Sequence, residues 1–215
     1  MNAARPTLVL GTTNAGKLRE LADLLAPLGI HCRSLADEPR AVEVEETGTS
    51  FAENAALKAA AQARAIGAWV LAEDSGLVVD ALGGAPGIFS ARFSGAAATD
   101  ATNNALLVER LARHRGAGRS AHYACHAALA DPGGEIVATS SGTCGGIIAE
   151  QASGAGGFGY DPLFIVPEYH QTFGELSAAV KAVISHRGRA LRAMVPALVR
   201  HLTPAGFAAR RADAR

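Results

Sequence analysis

Apolar positions along this chain change period several times, and polar chemistry gathers where the period breaks. Thr7-Leu-Val-Leu10 is a short apolar run stopped by Gly11, which predicts a buried strand. Beyond it, Leu18, Leu21, Leu24, Leu25 and Leu28 recur at helical spacing, so Lys17 to Leu28 predicts a helix ending at Gly29. Gly11 to Gly16 is then a strand-to-helix turn. A second helix begins near Ser50, where Ser50-x-x-Glu53 forms a capping box, and follows an alanine-rich stretch to about Ile66. Asn54 and Lys58 share one face of it.

Trp69 to Ala72 and Leu77 to Leu82 predict strands on either side of a polar interruption, Glu73-Asp74-Ser75-Gly76, and a Gly/Pro loop follows at Gly83 to Gly87. Thr99 to about His114 predicts a third helix. Ala121 to Ala130 and Glu135 to Cys144 flank Asp131-Pro-Gly-Gly134, a hairpin signal. Ser153 to Gly159 is glycine-rich and predicts a binding loop. Arg189 to Leu202 predicts a last helix, interrupted at Pro196, before an Ala/Arg-rich tail expected to fray. Helices and strands mix throughout, with no internal repeat and no long linker. The expectation is one α/β domain over residues 1–215, with residues 203–215 as a frayed tail.

Composition narrows the partners. Hydrophobic residues make up 49% and charged residues 19%, a globular balance, and 20 basic residues match 20 acidic ones. No global field favours nucleic acid or an acidic membrane, so any anion site must be local. The residues before Thr7 lead into too few apolar positions for a signal peptide, and no apolar run of about 18 residues occurs. Cys32, Cys125 and Cys144 are odd in number and lack CxxC spacing, which fits a reducing cytoplasm better than a disulfide framework or zinc knuckle. A soluble, cytoplasmic protein is expected.

Four polar clusters are candidates for chemistry. Gly11-x4-Gly16-Lys17 nearly matches a P-loop, but Leu18 replaces the hydroxyl that would hold Mg²⁺; a glycine turn opening a helix still offers N–H groups and a lysine to an anion, or is an ordinary tight turn. Glu45, Glu46 and Asp74 are carboxylates suited to a hard cation, although acidic runs such as Glu43 to Glu46 are more often solvated. Asp74 follows an apolar strand, where it can coordinate metal or take a proton from water. Phe158-Gly-Tyr-Asp-Pro162 offers aromatic faces on a loop, or packs locally. Lys181, Ser185, His186 and Arg187 offer donors for phosphate or base oxygens, with a plain reading as a helix N-terminus capped by Ser185. His122 and His126 have metal-ligand spacing but no third ligand nearby, and the arginines from Arg110 to Arg119 read as a solvated turn.

Taken in order, these stretches resemble a known family. Thr12-x-Asn14-x-Gly16-Lys17-x2-Glu20, Glu45-Glu46-Thr47-Gly48-x2-Phe51-x-Glu53-Asn54-Ala55-x2-Lys58-Ala59, Asp74-Ser75-Gly76-Leu77, Leu82-Gly-Gly-Ala-Pro-Gly87, Ser90-Ala-Arg92, Gly156-Gly-Phe-Gly-Tyr-Asp-Pro162 and Ser185-His-Arg187 together resemble the inosine triphosphate pyrophosphatase family, the XTP/dITP pyrophosphatases. The resemblance spans roughly residues 7 to 202. It implies an elongated mixed sheet in two lobes flanked by helices, an active-site cleft between the lobes, and a homodimer. It implies Mg²⁺-dependent hydrolysis of ITP, dITP or XTP to the monophosphate and pyrophosphate.

By position, the resemblance assigns Thr12, Thr13, Asn14, Ala15, Gly16, Lys17 and Lys58 to the triphosphate. Glu45 or Glu46 with Asp74 would hold the metal, Asp74 would be the base toward water, and Ser75 would touch substrate. Phe158, Gly159, Tyr160, Asp161, Lys181, His186 and Arg187 would enclose and read the purine. A 6-keto base presents an acceptor where adenine presents an amino donor, so a donor from His186 or Arg187 would favour hypoxanthine and xanthine. Two departures stand out: Glu73 replaces an aspartate common in bacterial members, and Ala178-Ala179-Val180 replaces acidic residues before Lys181. A P-loop-like kinase or ATPase and a non-catalytic nucleotide-binding module are the alternatives. Leu18 speaks against the first and the carboxylates against the second.

Overall fold

In the computed structural model, residues 7–203 are described. The order begins β1 (Thr7–Leu10), α1 (Ala15–Leu25), β2 (His31–Ser34), α2 (Phe51–Ile66), β3 (Trp69–Val79) and α3 (Asp100–Arg110). It continues β4 (Ser120–Ala130), β5 (Ile136–Ile148), β6 (Phe164–Val166), β7 (Gln171–Thr172), α4 (Ala178–Ile184) and α5 (His186–Leu202). The strands pair in the order β2-β1-β3-β4-β5-β6-β7. β1 runs parallel to β2 and β3, while β6 runs antiparallel to β5 and β7, so the sheet is mixed and the class is α/β.

The chain forms two compact units. Residues 7–74, 126–141 and 190–203 belong to the first, and residues 75–125 and 142–189 to the second. In the first, alternation along β1 feeds two separate cores. Leu8 and Leu10 join Leu21 and Leu25 of α1 with Leu191, Met194 and Leu198 of α5. Val9 points the other way, to Val70, Ala72 and the α2 alanines Ala55, Ala59 and Ala63. Those alanines recur every helical turn, and their small side chains let α2 lie close to the sheet. The second unit has one core, where Leu107, Tyr123, Phe164 and Phe173 meet and the Phe164 and Phe173 rings stack at 5.1 Å.

Several expectations need correction. The polar stretch Glu73 to Gly76 does not divide two strands; β3 runs straight through it. Glu73 and Asp74 lie in the strand with their charges met by Lys17 and Lys58, so the ladder continues. The last helix starts at His186 and continues past Pro196, because Leu191 and Met194 before the proline and Leu198 and Leu202 after it share one core. Arg119 is no solvated turn residue. It is 3% exposed and donates to the carbonyls of Leu111, Ile148 and Ala149. β2, β6, β7 and α4 were not foreseen. The tail after Pro204, expected to fray, lies outside the described residues.

Close approach of α2 makes a prediction. Ala59→Leu should destabilise the fold by about 1–3 kcal/mol through overpacking. A denaturant midpoint equal to wild type would show that α2 has room to spare.

Candidate active site

In the first unit the site is built by one face of α2. Asn54, Lys58 and Gln62 follow one another at four-residue spacing and so form a stripe. Asn54 is 0% exposed and Gln62 4%, polar groups buried on a helix whose neighbours are alanines. Such groups must be hydrogen-bonded, and here the partners lie in the irregular segment 42–48. Gln62 accepts from the N–H of Val42 at 3.1 Å and donates to its carbonyl. Lys58 Nζ donates to Glu46 Oε1 at 2.9 Å, and Asn54 Oδ1 accepts from the N–H of Gly48 at 2.9 Å. The acidic segment is thus laid along the helix, with Val44, Glu46 and Gly48 less exposed than the odd-numbered positions between them. Glu46 reaches Lys58, and Glu45 is exposed.

The same stripe holds Asp74. Lys58 Nζ donates to Asp74 Oδ1 at 3.0 Å and Asn54 Nδ2 to Oδ2 at 3.3 Å. One ammonium therefore bridges Asp74 and Glu46. Burial alone pulls the Lys58 pKa down, but the Asp74 charge and the bonds to Glu46 and Asp74 outweigh it and hold it above the ordinary lysine value. One strand position earlier, Glu73 pairs with Lys17 at 3.2 Å.

Lys17 stands in the first turn of α1, and Asn14 caps that helix by accepting from the Lys17 N–H at 2.9 Å. Thr12 Oγ1 accepts from the Asn14 N–H at 3.2 Å, and Thr13 is exposed. Gly11 is required before this turn, since a Cβ there would meet the Ala72 Cβ at 2.9 Å. Ser50 accepts from the Glu53 N–H as the capping box predicts, but the Glu53 carboxylate reaches the N–H and hydroxyl of Thr49 instead. Those bonds hold the Glu53 pKa below the usual carboxylate value.

The second unit gathers the aromatic and cationic residues. Asp161 is buried and accepts from Lys181 Nζ, from the Phe158 N–H at 2.8 Å and from Tyr123 Oη at 3.5 Å. Gly157 makes this possible: its φ is +74°, and a Cβ would sit 1.9 Å from Asp161 Oδ2. Lys181 Nζ stands 4.9 Å from the Phe158 ring centre and Arg187 Cζ stands 5.7 Å from it, both in cation–π range. His186 stacks on Tyr123 at 4.6 Å, with planes 9° apart. Arg187 Nη2 donates to Ser75 Oγ at 3.0 Å. Ser185 caps α5 by accepting from the Gly188 N–H, as its plain reading predicts. Tyr160 donates to the Ser90 carbonyl at 2.8 Å, and burial pushes its phenol pKa up.

Sequence reasoning missed Gln62 and Tyr123. Gln62 was visible in principle, as the third polar residue of a stripe on an alanine-rich helix. Tyr123 gave no signal, because a tyrosine in an apolar strand reads as core.

Fold and site define an α/β protein with ammonium-bridged carboxylates in one unit and a loop phenylalanine ringed by cations in the other. The Ham1 family profile matches residues 8–197, and the chain belongs to that family. A dITP/XTP pyrophosphatase of Rhodopirellula baltica is 50% identical over 193 residues, covering 90% of this chain and 93% of the relative. A dITP/XTP pyrophosphatase of an Exiguobacterium species is 53% identical over 185 residues, or 86% of this chain and 93% of the relative. The solved HAM1 protein from Coxiella burnetii matches with a TM-score of 0.81 at 38% identity, covering 90% of this chain and 98% of that one. Among the described residues, no helix is long and apolar enough to cross a membrane.

The laying of segment 42–48 on α2 is testable. Gln62→Leu should cost about 1 kcal/mol, the net worth of its backbone bonds, and speed amide exchange at Val42. Unchanged exchange there would mean that Gln62 does not hold the segment.

Proposed function

We propose that this protein hydrolyses nonstandard purine nucleoside triphosphates (ITP, dITP and XTP) to the monophosphate and pyrophosphate, clearing deaminated purines from the nucleotide pool. The observation that carries the reading is a buried Asp74, held by Lys58 and Asn54, in a Ham1-family chain whose relatives are named dITP/XTP pyrophosphatases. The reaction breaks the α–β anhydride bond. One water adds to phosphorus, its proton leaves to a base, and pyrophosphate departs.

In this reading Asp74 takes the proton. It has the geometry for the task, since two donors from α2 fix its carboxylate in one orientation. Lys17 and Lys58 meet the negative charge of the phosphates. With the Lys17 N–H capped by Asn14, the N–H groups of Ala15 and Gly16 are the remaining first-turn donors of α1. Phe158 offers its ring to the base, and Lys181, His186 and Arg187 supply donors suited to a 6-keto oxygen.

Mg²⁺ belongs to the same reading, and the donor set fits it. The Asp74 and Glu46 oxygens both face one positive group, the Lys58 ammonium, so the two carboxylates converge on a common positive centre. Two carboxylates suffice, because Mg²⁺ completes its shell with water and phosphate oxygens. Asp74 and Glu46 would hold it, and when bound it supplies charge neutralisation to the phosphates. A cytoplasmic homodimer also belongs to the reading and rests on the family likeness.

Pyrophosphate release should be fast from ITP, dITP and XTP, slow from ATP and GTP, lost in EDTA and restored by Mg²⁺. Orthophosphate as the first product would contradict the reaction, and equal rates on all five nucleotides would contradict base reading. Asp74→Asn should lower kcat by on the order of 10²–10⁴-fold with the circular dichroism spectrum unchanged. Near-normal turnover in that variant would remove Asp74 as the base.

A further inference from the structure

The loop that carries Phe158 is held from α3 by two side chains that no motif singled out. Asp100 opens α3 behind its cap, Thr99, and Asn104 lies one turn further along the same face. Asp100 Oδ2 accepts from the Gly159 N–H at 2.7 Å, and Asn104 Nδ2 donates to the Gly159 carbonyl at 3.0 Å. The residue before is held as fully. The Phe158 N–H donates to Asp161 Oδ2 at 2.8 Å, and the Phe158 carbonyl accepts from the Asp161 N–H at 3.3 Å. All four backbone polar groups of Phe158 and Gly159 are therefore taken.

Asn104 shows the purpose of the arrangement. Its Oδ1 is buried and has no hydrogen-bond partner among the described residues. A half-buried amide with its oxygen unsatisfied is a poor way to fill space, since an apolar side chain would do so without the desolvation penalty. Its one well-made bond goes to Gly159. Only the nitrogen end can face a carbonyl, so the orientation of the amide follows from the chemistry. Gly159 itself lies in a turn with φ +63°, a left-handed conformation that favours glycine.

We propose that Asp100 and Asn104 are positioning residues for the nucleobase: by clamping both peptide groups of Gly159 they set the Phe158 ring, and with it the preference for 6-keto purines. The inference rests on the pyrophosphatase reading given above. A ring that serves as a stacking face contributes to binding only when it is held where it can lie against the base. Asp100 and Asn104 bond the loop that carries Phe158, so the effect falls on KM and selectivity rather than on the chemical step.

Three near-isosteric or small variants test this. Asp100→Ala removes the acceptor, Asn104→Asp replaces the donor with an acceptor aimed at a carbonyl, and Asp100→Asn keeps the acceptor. The first two should raise KM for ITP about tenfold and lower the ITP-to-ATP ratio of kcat/KM by a similar factor, the loss of one well-made bond to a charged or buried partner. Their kcat on ITP should stay within about twofold of wild type, and Asp100→Asn should keep both constants. Amide exchange at residues 154–160, followed by mass spectrometry, should speed up in the first two variants and not in the third. Unchanged selectivity in Asp100→Ala and Asn104→Asp would overturn the proposal, as would equal impairment in Asp100→Asn. A wild-type protein inactive on every triphosphate would overturn the pyrophosphatase reading, and the exchange rates would still decide whether α3 holds the loop.

Discussion

A carboxylate buried inside a protein needs a compensating partner, and for Asp74 that partner is Lys58. Removing an ion from water costs several kcal/mol, which attraction to a well-placed partner offsets. Asp74 lies in β3 with Lys58 Nζ at 3.0 Å, and the same ammonium reaches Glu46 at 2.9 Å. Much follows from this one shared group. β3 can run unbroken through a charged stretch, segment 42–48 is drawn onto α2, and two carboxylates of remote sequence origin meet around one positive centre. A second pair, Lys17 with Glu73, treats the neighbouring strand position in the same way. The lysines that neutralise the carboxylates are also the groups proposed to meet the phosphates, so neutralising and binding roles fall on the same side chains.

The second unit applies the same rule to Asp161, whose buried charge is met by Lys181. The pair does more than neutralise itself. Asp161 also takes the Phe158 N–H, and Lys181 stands over the Phe158 ring, so the ion pair sets the aromatic face from two sides. Gly157 leaves the room this needs, and a methyl group at that position would displace the carboxylate. The glycines of this loop thus serve rigidity as much as freedom. Gly157 allows the close approach, and α3 takes hold of Gly159.

Much of this was legible in the amino-acid order, and the rest was hidden for physical reasons. The strand-turn-helix from Thr7 onward, the cap at Ser50 and the hairpin around Asp131 announce themselves by local rules, and the structure agrees. The continuity of β3 was hidden because a charged tetrapeptide reads as a break until the lysines that neutralise it are in place. The short strands β2 and β6 owe their pairing to neighbours distant in sequence, and β7 is only two residues long, so periodicity records none of them. Arg119 shows the same limit: beside glycines and other arginines it reads as solvated, yet three backbone carbonyls await it. The candidate residues themselves were named through the family resemblance. Their supports were not. Gln62, Tyr123, Asp100 and Asn104 act through other residues, and such roles leave no local pattern.

The central claim is that Lys58 and Asp74 depend on each other energetically. A double-mutant cycle of Lys58→Met and Asp74→Asn, read by urea denaturation, measures that dependence directly. The account predicts a coupling of about 1–3 kcal/mol, with the double variant more stable than the sum of the single losses allows. Additive losses would contradict it, and the bridging ammonium would then be a neighbour of Asp74 rather than its support.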